Sequence, residues 1–599
     1  MTLFKMKNFV IFLFFPTLLF SQEVVSDLVS NAILKGNKFE STSSKSIISL
    51  PFIDDFSYDF PQVNPDLWEQ SSVFVNRTYP INPPTIGVAT FDGINEKGLA
   101  RDFYPSTSSE PSDTLLSKEI DISGVDSAYF LFYYQGKGMG DAPQSQDKLV
   151  LDFLSDTGWV QIWEATGQAM TEFEKVVIVI DSAIFLINDF QFRFRNYATI
   201  SGNFDHWHID YIKIDEFVNP NDINELNDVS FVYNSPSFLK RYTQMPWSHF
   251  QQDMLIELKD SIDILLRNND ASNSVDYQYN VFENLNLITH YPSSGVSRNV
   301  SVLDFDTIGN FSFQNPPIDI SSAIFSSFQP DTISFLVQNI IGTSSSDNKN
   351  NDTLYHTQKF HHHFAYDDGV AESAYGLNLN GAKIAYQFKL NRPDDKLRAV
   401  QMYFPQMLDA VSDIPFELII WNHNNSQPGD TLYTQTVYPV HTENGEFHTY
   451  IIDNPFLVSG VIYIGCEQTT DDLLNIGLDK NNSANDYMFY NIGSGWNNSS
   501  YPGAWMIRPI VSKDPIILSS DDIVDNFKLY PNPAKSELFI ETNKPENVIS
   551  IYNIQGVLIK RITSNTTLNR FNIDNLASAI YIVEVENSEN RSYQKIIVK

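Results

Sequence analysis

The sequence predicts an all-β protein built as tandem β-sandwiches. Three observations carry this. Short apolar runs of strand length recur, turn residues separate them at short intervals, and 14% of the chain is aromatic, with 44 Phe and 29 Tyr. The chain has 599 residues, 42% of them hydrophobic, which is material for several cores. Its net charge of −34 would be repelled by a phosphate backbone, so nucleic acid is excluded as a partner. Cys466 is the sole cysteine, so no intrachain disulfide can form and packing must hold the domains. Preceded by Val461-Ile-Tyr-Ile-Gly465, it reads as a small buried apolar side chain rather than a catalytic thiol.

The elements follow in order. Residues 1–21 read as a signal peptide, with Lys5 and Lys7 ahead of an apolar run from Phe9 to Phe20 and the small Ser21 at the cleavage point, leaving Gln22 or Glu23 as the new start. That run is shorter than the ~20 residues a spanning helix needs, and no later segment is apolar enough to span, so the mature chain is expected to lack a transmembrane helix. Residues 22–50 form a polar linker. The first sandwich, 51–218, holds the runs Ala128-Tyr-Phe-Leu-Phe-Tyr-Tyr134 and Leu149-Val-Leu-Asp-Phe-Leu154, and the strictly alternating Phe190-Gln-Phe-Arg-Phe-Arg195, with Phe facing inward. In 228–360, Ser261–Asn269 and Val275–Val281 read as sandwich strands. A third unit, 365–512, includes Phe416-Glu-Leu-Ile-Ile-Trp421 and Gly460–Gly465. Residues 513–525 form a second linker before a terminal unit at 526–599.

Several of these segments resemble known modules. Phe91-Asp-Gly93 and Asp205-His-Trp-His-Ile-Asp-Tyr-Ile212 resemble the MAM and concanavalin-like jelly rolls, which makes 51–218 a jelly-roll sandwich; that fold by itself names no function. Residues 228–360 resemble the immunoglobulin-like spacers of exported bacterial proteins. Tyr366-Asp-Asp-Gly-Val-Ala-Glu372, Trp421, Gln427-Pro-Gly429 and Met506-Ile-Arg-Pro509 resemble a second jelly-roll-like module of cell-surface proteins.

The terminal unit carries three blocks. They are Leu529-Tyr-Pro-Asn-Pro533 with the strand Glu537–Glu541, Ile549-Ser-Ile-Tyr-Asn-Ile-Gln-Gly556, and Leu576-Ala-Ser-Ala-Ile-Tyr-Ile-Val583 ending in Lys595-Ile-Ile-Val-Lys599. Pro531-Asn532-Pro533 fixes a rigid turn into a strand, because each proline presets φ and restricts its predecessor. In order and spacing the blocks resemble the type A C-terminal sorting domain of the type IX secretion system of Bacteroidota. Pro531, Asn532, Pro533, Gly556, Tyr581 and Lys599 are its motif positions. Ala579 stands where that family usually has Gly, which implies a negative φ there. The resemblance implies export through the periplasm to the cell surface or the medium, recognition by the translocon and its sorting peptidase, and attachment to surface lipopolysaccharide or release.

Chemistry is harder to find. There is no Gly-x-Ser-x-Gly elbow, His-Glu-x-x-His helix or phosphate-binding Gly-Lys loop. His361-His-His363 lacks a third zinc ligand and reads as an edge strand or linker. Calcium is the cofactor such oxygen-rich turns would hold, with Asp54, Asp55, Asp205, Asp210, Asp479 and Asp486 as candidates. Trp207, Trp247, Trp421, Trp496 and Trp505 could stack on sugars or fill cores. Asp followed by Ser or Thr and an apolar residue recurs, resembling the O-glycosylation acceptor of Bacteroidota exported proteins, with Thr114, Ser127, Ser182, Ser261, Thr307, Thr332, Thr353 and Thr431 as acceptors.

The sequence therefore points to a non-catalytic surface or secreted protein for adhesion or glycan binding. A secreted polysaccharide hydrolase with a carboxylate pair in one sandwich and a structural surface spacer are the alternatives. Deleting 526–599 is expected to leave the chain in the periplasm; cell fractionation that finds the shortened chain at the surface would contradict the address read here.

Overall fold

Strands need partners, and the way these runs pair decides what is brought together. The computed structural model describes residues 23–34, 47–218, 228–310 and 332–513, then 527–598, with short gaps inside these ranges. The chain divides into two compact units, Met1–Lys513 and Asp514–Lys599.

In the first sandwich, one sheet runs in the order Gly158–Thr166, Lys148–Ser155, Phe192–Thr199, Ser109–Ser117, Trp68–Ser71. The facing sheet runs Glu174–Ile180, Ala128–Gly136, Trp207–Glu216, Val88–Phe91, Phe74–Asn76, with Phe52–Asp54 also on Trp207–Glu216. The alternation read at Phe192–Arg195 holds: Phe192 and Phe194 are buried, while Arg193 and Arg195 turn outward to share Asp152 at 2.9 and 2.7 Å. Edge-on aromatic pairs fill the core, Phe130 meeting Phe192 at 4.7 Å and Phe132 meeting Phe194 at 4.9 Å.

The middle region places its two predicted strands in different sheets. Leu265–Asn268 lies between Val229–Phe231 and Thr307–Asn310, whereas Asp276–Glu283 lies between Asn286–Tyr291 and Ile333–Gly342, followed by Thr353–Phe360. Two short helices, Trp247–Gln252 and Met254–Glu257, interrupt the strands. They carry Trp247 and Phe250 into a core that runs without a break into the third sandwich.

There, a six-stranded sheet runs Gln427–Val437, Phe416–Asn424, Gly460–Gln468, Lys383–Leu390, Met488–Asn491, Trp496–Asn498. Two further sheets complete this region. One is His448–Leu457, Lys396–Met402, Ile507–Ser512, and the other is Glu23–Ser26, Ser373–Leu377, Ile476–Asp479, Ala504–Trp505. Cys466 is buried with no disulfide partner, and burial pushes its thiol well above its ordinary range.

Polar groups buried at the seams tie the regions of this unit together. Between the first sandwich and the middle region, Asp55 Oδ2 accepts from Asn348 Nδ2 at 2.7 Å and Asn351 Nδ2 at 3.0 Å, and Asn351 also donates to Asp228. Between the middle and third regions, His249 Nε2 meets Asp395 Oδ2 at 2.7 Å, and Tyr242 Oη donates to the Lys389 carbonyl and accepts its N–H. Within the third region, Arg508 grips Asp367 with two nitrogens and lies 3.9 Å over the Phe447 ring.

The second unit has a three-stranded sheet, Phe527–Tyr530, Glu537–Thr542, Leu568–Asn572, and a four-stranded one, Leu558–Asn565, Glu546–Asn553, Ala579–Glu586, Arg591–Val598. Leu538, Ile540, Ile551, Phe571 and Val583 fill its core. Tyr581 is buried there and donates to the Ala577 carbonyl at 3.1 Å. Ala579 opens a strand and is not among the residues with positive φ, so no glycine is needed. Pro533 is described; Pro531, Asn532, Gly556 and Lys599 lie outside the described residues.

Asp367 is fully buried and Arg508 nearly so, and a buried pair broken on one side strands a charge. Asp367→Ala is expected to cost about 3–5 kcal/mol in urea unfolding. Glu164→Ala, at an exposed pair with Lys148, is expected to leave the urea midpoint nearly unchanged.

Candidate functional site

The five tryptophans considered for sugar stacking separate by position. Trp207, Trp247 and Trp505 are sealed in cores. Trp421 and Trp496 instead belong to a separate apolar cluster on the opposite face of the six-stranded sheet. Phe416-Glu-Leu-Ile-Ile-Trp421 explains the split: Phe416, Leu418 and Ile420 face the core, while Ile419 and Trp421 face out beside Ala385, Tyr463 and Phe489. Both faces are covered, which is why the run reads as continuously apolar rather than alternating.

Two hairpins build the end of this face. Asn425 and Ser426 form a two-residue turn with φ of 49° and 63°, as the right-handed twist of a tight hairpin requires. The second hairpin turns through Gly493 and Gly495, at φ of 96° and 105°. Gln427 Nε2 donates to the Trp496 carbonyl at 3.3 Å and links the two. Trp496 is half-buried and stands edge-on to Trp421, their ring centroids 5.4 Å apart. On the same sheet, the exposed His423 lies parallel to Tyr463, whose hydroxyl receives Gln387 Nε2 at 2.8 Å. Exposed amides of Asn424, Asn425, Gln427, Asn497 and Asn498 occupy the two hairpins around Trp496. The result is an aromatic edge flanked by planar donors and acceptors. Sequence reasoning found Trp421 and Trp496 but missed Tyr463, His423 and Gln387. The outward positions Val461 and Tyr463 on Gly460–Gly465 were the available signal.

A concavity of about 150 Å³ lies between the first and third sandwiches. Phe74, Tyr79 and Tyr403 face it, Leu28 and Ser30–Ile33 contribute to its wall, and no lining side chain is a carboxylate.

The calcium candidates do not gather. Among the described residues no three His, Cys, Asp or Glu side chains form a group that could hold a metal ion. Asp54 accepts from Trp68 Nε1 at 2.6 Å, from the Phe56 N–H and from the Tyr58 hydroxyl. Asp55 serves the seam described above. Asp205 accepts from the Thr199 N–H, Asp210 from the Thr85 N–H and hydroxyl, and Asp479 from the N–H groups of Asn481, Asn482 and Asp368. Asp486 is exposed. Burial raises the carboxyl of Asp205 to about 6 and moves Asp210 and Asp479 well above the usual range. His363 is pushed well down by burial and pairs through its backbone with Ile510, as a linker strand would.

The acceptor candidates also differ. Ser182, Thr332 and Thr431 are exposed, and Thr114, Ser127 and Thr353 are half-buried. Asp113 and Asp352, which precede two of these, are themselves buried in ion pairs with Arg101 and Lys349. Ser261 lies outside the described residues, as does the side chain of Thr307.

Residues 528–599 match the family described as the secretion system C-terminal sorting domain. The tail is a type IX sorting domain. It addresses the chain to the cell surface or the extracellular space. No curated protein matches the chain. Among solved structures, PorZ, an essential surface component of the type IX secretion system of Porphyromonas gingivalis, is similar at 18% identity over 22% of this chain and 17% of that one, TM-score 0.12. The cysteine protease and lectin-like domains of Cwp84, a surface-layer-associated protein of Clostridium difficile, are similar at 12% identity over 42% of this chain and 63% of that one, TM-score 0.21. This chain thus spans less than two thirds of either. Tandem CBM51 modules of a family 98 glycoside hydrolase from Streptococcus pneumoniae are similar at 9% identity over 71% of this chain and 98% of that one, TM-score 0.17.

Burial raises the Asp54 carboxyl to about 7 against the pull of its three hydrogen bonds. An acid whose folded pKa is raised holds its proton more tightly when folded. Its contribution to stability is therefore present below pH ~4 and lost as pH rises towards 7. Relative to Asp54→Asn, the natural chain is expected to lose stability between about pH 4 and pH 7 in urea titrations, and a constant difference would contradict this.

Proposed function

We propose that this is a surface or secreted glycan-binding protein without catalytic activity, and that the hairpin end of the third sandwich is its binding face. The observation that carries the reading is the half-buried Trp496, braced edge-on by Trp421 and surrounded by amide side chains. A sugar ring presents an apolar C–H face and a polar rim, which calls for one aromatic surface bordered by planar hydrogen-bonding groups. On this reading residues 1–21 are removed as a signal peptide, and the sorting unit is removed within 513–525 once the translocon has recognised it. The jelly-roll and immunoglobulin-like sandwiches of 51–218, 228–360 and 365–512 form the working body, attached to surface lipopolysaccharide or released. Exposed Ser182, Thr332 and Thr431 are its O-glycan acceptors.

The test is glycan-array binding by the mature chain beside Trp496→Ala and Trp496→Phe. Binding that falls about tenfold or more in the alanine variant and survives in the phenylalanine variant is expected. Equal binding by all three proteins, or no binding to any glycan, would overturn the proposal.

A further inference from the structure

The segment Glu23–Leu34 bonds to two sandwiches at once. Glu23–Ser26 pairs antiparallel with Ser373–Leu377, setting Glu23 opposite Leu377 and Ser26 opposite Ala374, and is the outermost strand of its sheet. The Glu23 side chain turns inward, with the residue only 5% exposed. Its carboxylate accepts from the Tyr375 hydroxyl at 2.8 Å, Ser499 Oγ at 2.5 Å and Ser500 Oγ at 3.3 Å. A buried carboxylate persists only with such donors, so this is a built seat and not a frayed end.

Farther along, the attachments change partner. Leu28 packs with Ala371, Ala374 and Met506 of the third sandwich, while its carbonyl already accepts from the Asn203 N–H of the first at 3.0 Å. The Asn31 N–H donates to the Gly98 carbonyl at 2.9 Å. Gly98 has φ +72°, and a Cβ there would meet the Asn31 carbonyl oxygen at 1.9 Å, so glycine lets the segment lie down. Leu34 then joins Phe74, Tyr79 and Ile94 in a small apolar cluster. One short segment therefore fastens the third sandwich with its first half and the first sandwich with its second.

We propose that Glu23–Leu34 is a clasp that locks the two sandwiches together, and that it seats only after the leader has been removed. The clasp begins where the leader ends. Only Ser21 and Gln22 separate Glu23 from the apolar run that closes at Phe20. An extended chain covers at most ~3.6 Å per residue, so a leader held in the bilayer keeps Glu23 within about 10 Å of the membrane. There it cannot enter a seat enclosed by Tyr375 and Ser499 unless the whole body is pressed against the bilayer. Cleavage releases the strand, and locking follows export across the inner membrane. The timing half of the proposal rests on the signal-peptide reading above; the clasp itself does not.

The experiment separates the two. N-terminal sequencing of the exported protein tests the leader: a start at Gln22 or Glu23 is expected, and an uncut start overturns the timing alone. Hydrogen exchange by mass spectrometry then compares the mature chain with Glu23→Ala and with a chain beginning at Lys35. Amides of Ser373–Leu377 are expected to exchange about tenfold faster or more in both variants. A synthetic peptide of residues 22–34 is expected to restore protection to the shortened chain, and the same peptide with Glu23→Lys is not. If the shortened chain does not fold, Glu23→Ala decides. Unchanged exchange in Glu23→Ala overturns the clasp. Finally, limited proteolysis of the membrane-held precursor is expected to cut within 23–34, which the mature chain resists; equal resistance overturns the dependence on leader removal.

Discussion

A chain with one cysteine cannot cross-link itself, and everything else in Met1–Lys513 depends on what its sandwiches bury against one another. The solution here is not apolar contact alone. The middle and third regions do share a continuous core, but each seam also carries buried polar groups with specific partners. Asn351 bridges Asp55 and Asp228, and His249 meets Asp395. Lys480 Nζ donates to the Met139 carbonyl at 2.8 Å across the first and third sandwiches. Such contacts specify one arrangement, because any slip leaves a buried polar atom without its partner. A protein destined for the outside of a cell thus obtains by seam chemistry what disulfides would otherwise provide.

Among the described residues no three His, Cys, Asp or Glu side chains form a group that could hold a metal ion. The buried carboxylates of Asp54, Asp55, Asp210 and Asp479 are engaged by backbone N–H groups, an indole, hydroxyls and amides. Asp54, Asp210 and Asp479 each look like a calcium ligand in one dimension, where only the spacing of oxygens is visible. In three dimensions Asp54 holds the Trp68 indole, Asp210 holds Thr85 of a distant segment, and Asp479 fixes the turn at Asn481. The raised pKa values follow from the same burial and need no cation to explain them.

Much of the fold was legible because strand periodicity is local. Phe192–Arg195 announced an inside and an outside, and the structure keeps both. The sorting tail was legible for a different reason, since its blocks resemble a known domain. What escaped was short or non-local. The helix Trp247–Gln252 has too few residues to show a 3.6-residue period. The linker expected at 22–50 begins with a strand, yet nothing in Glu23-Val-Val-Ser26 points to Ser373–Leu377 as its partner. At the candidate site, Trp421 and Trp496 could be named, but only the fold brings Tyr463 into their cluster and stacks His423 on it.

The central claim is that buried seams make the three sandwiches one cooperative body, separate from the sorting unit. Differential scanning calorimetry of the uncleaved chain from residue 22 to Lys599 tests it most directly. The account predicts one transition for residues 22–513 and a second, smaller one for the tail, with the first keeping a calorimetric enthalpy equal to its van't Hoff enthalpy. Three separable transitions within 22–513, each surviving when the others have melted, would contradict it.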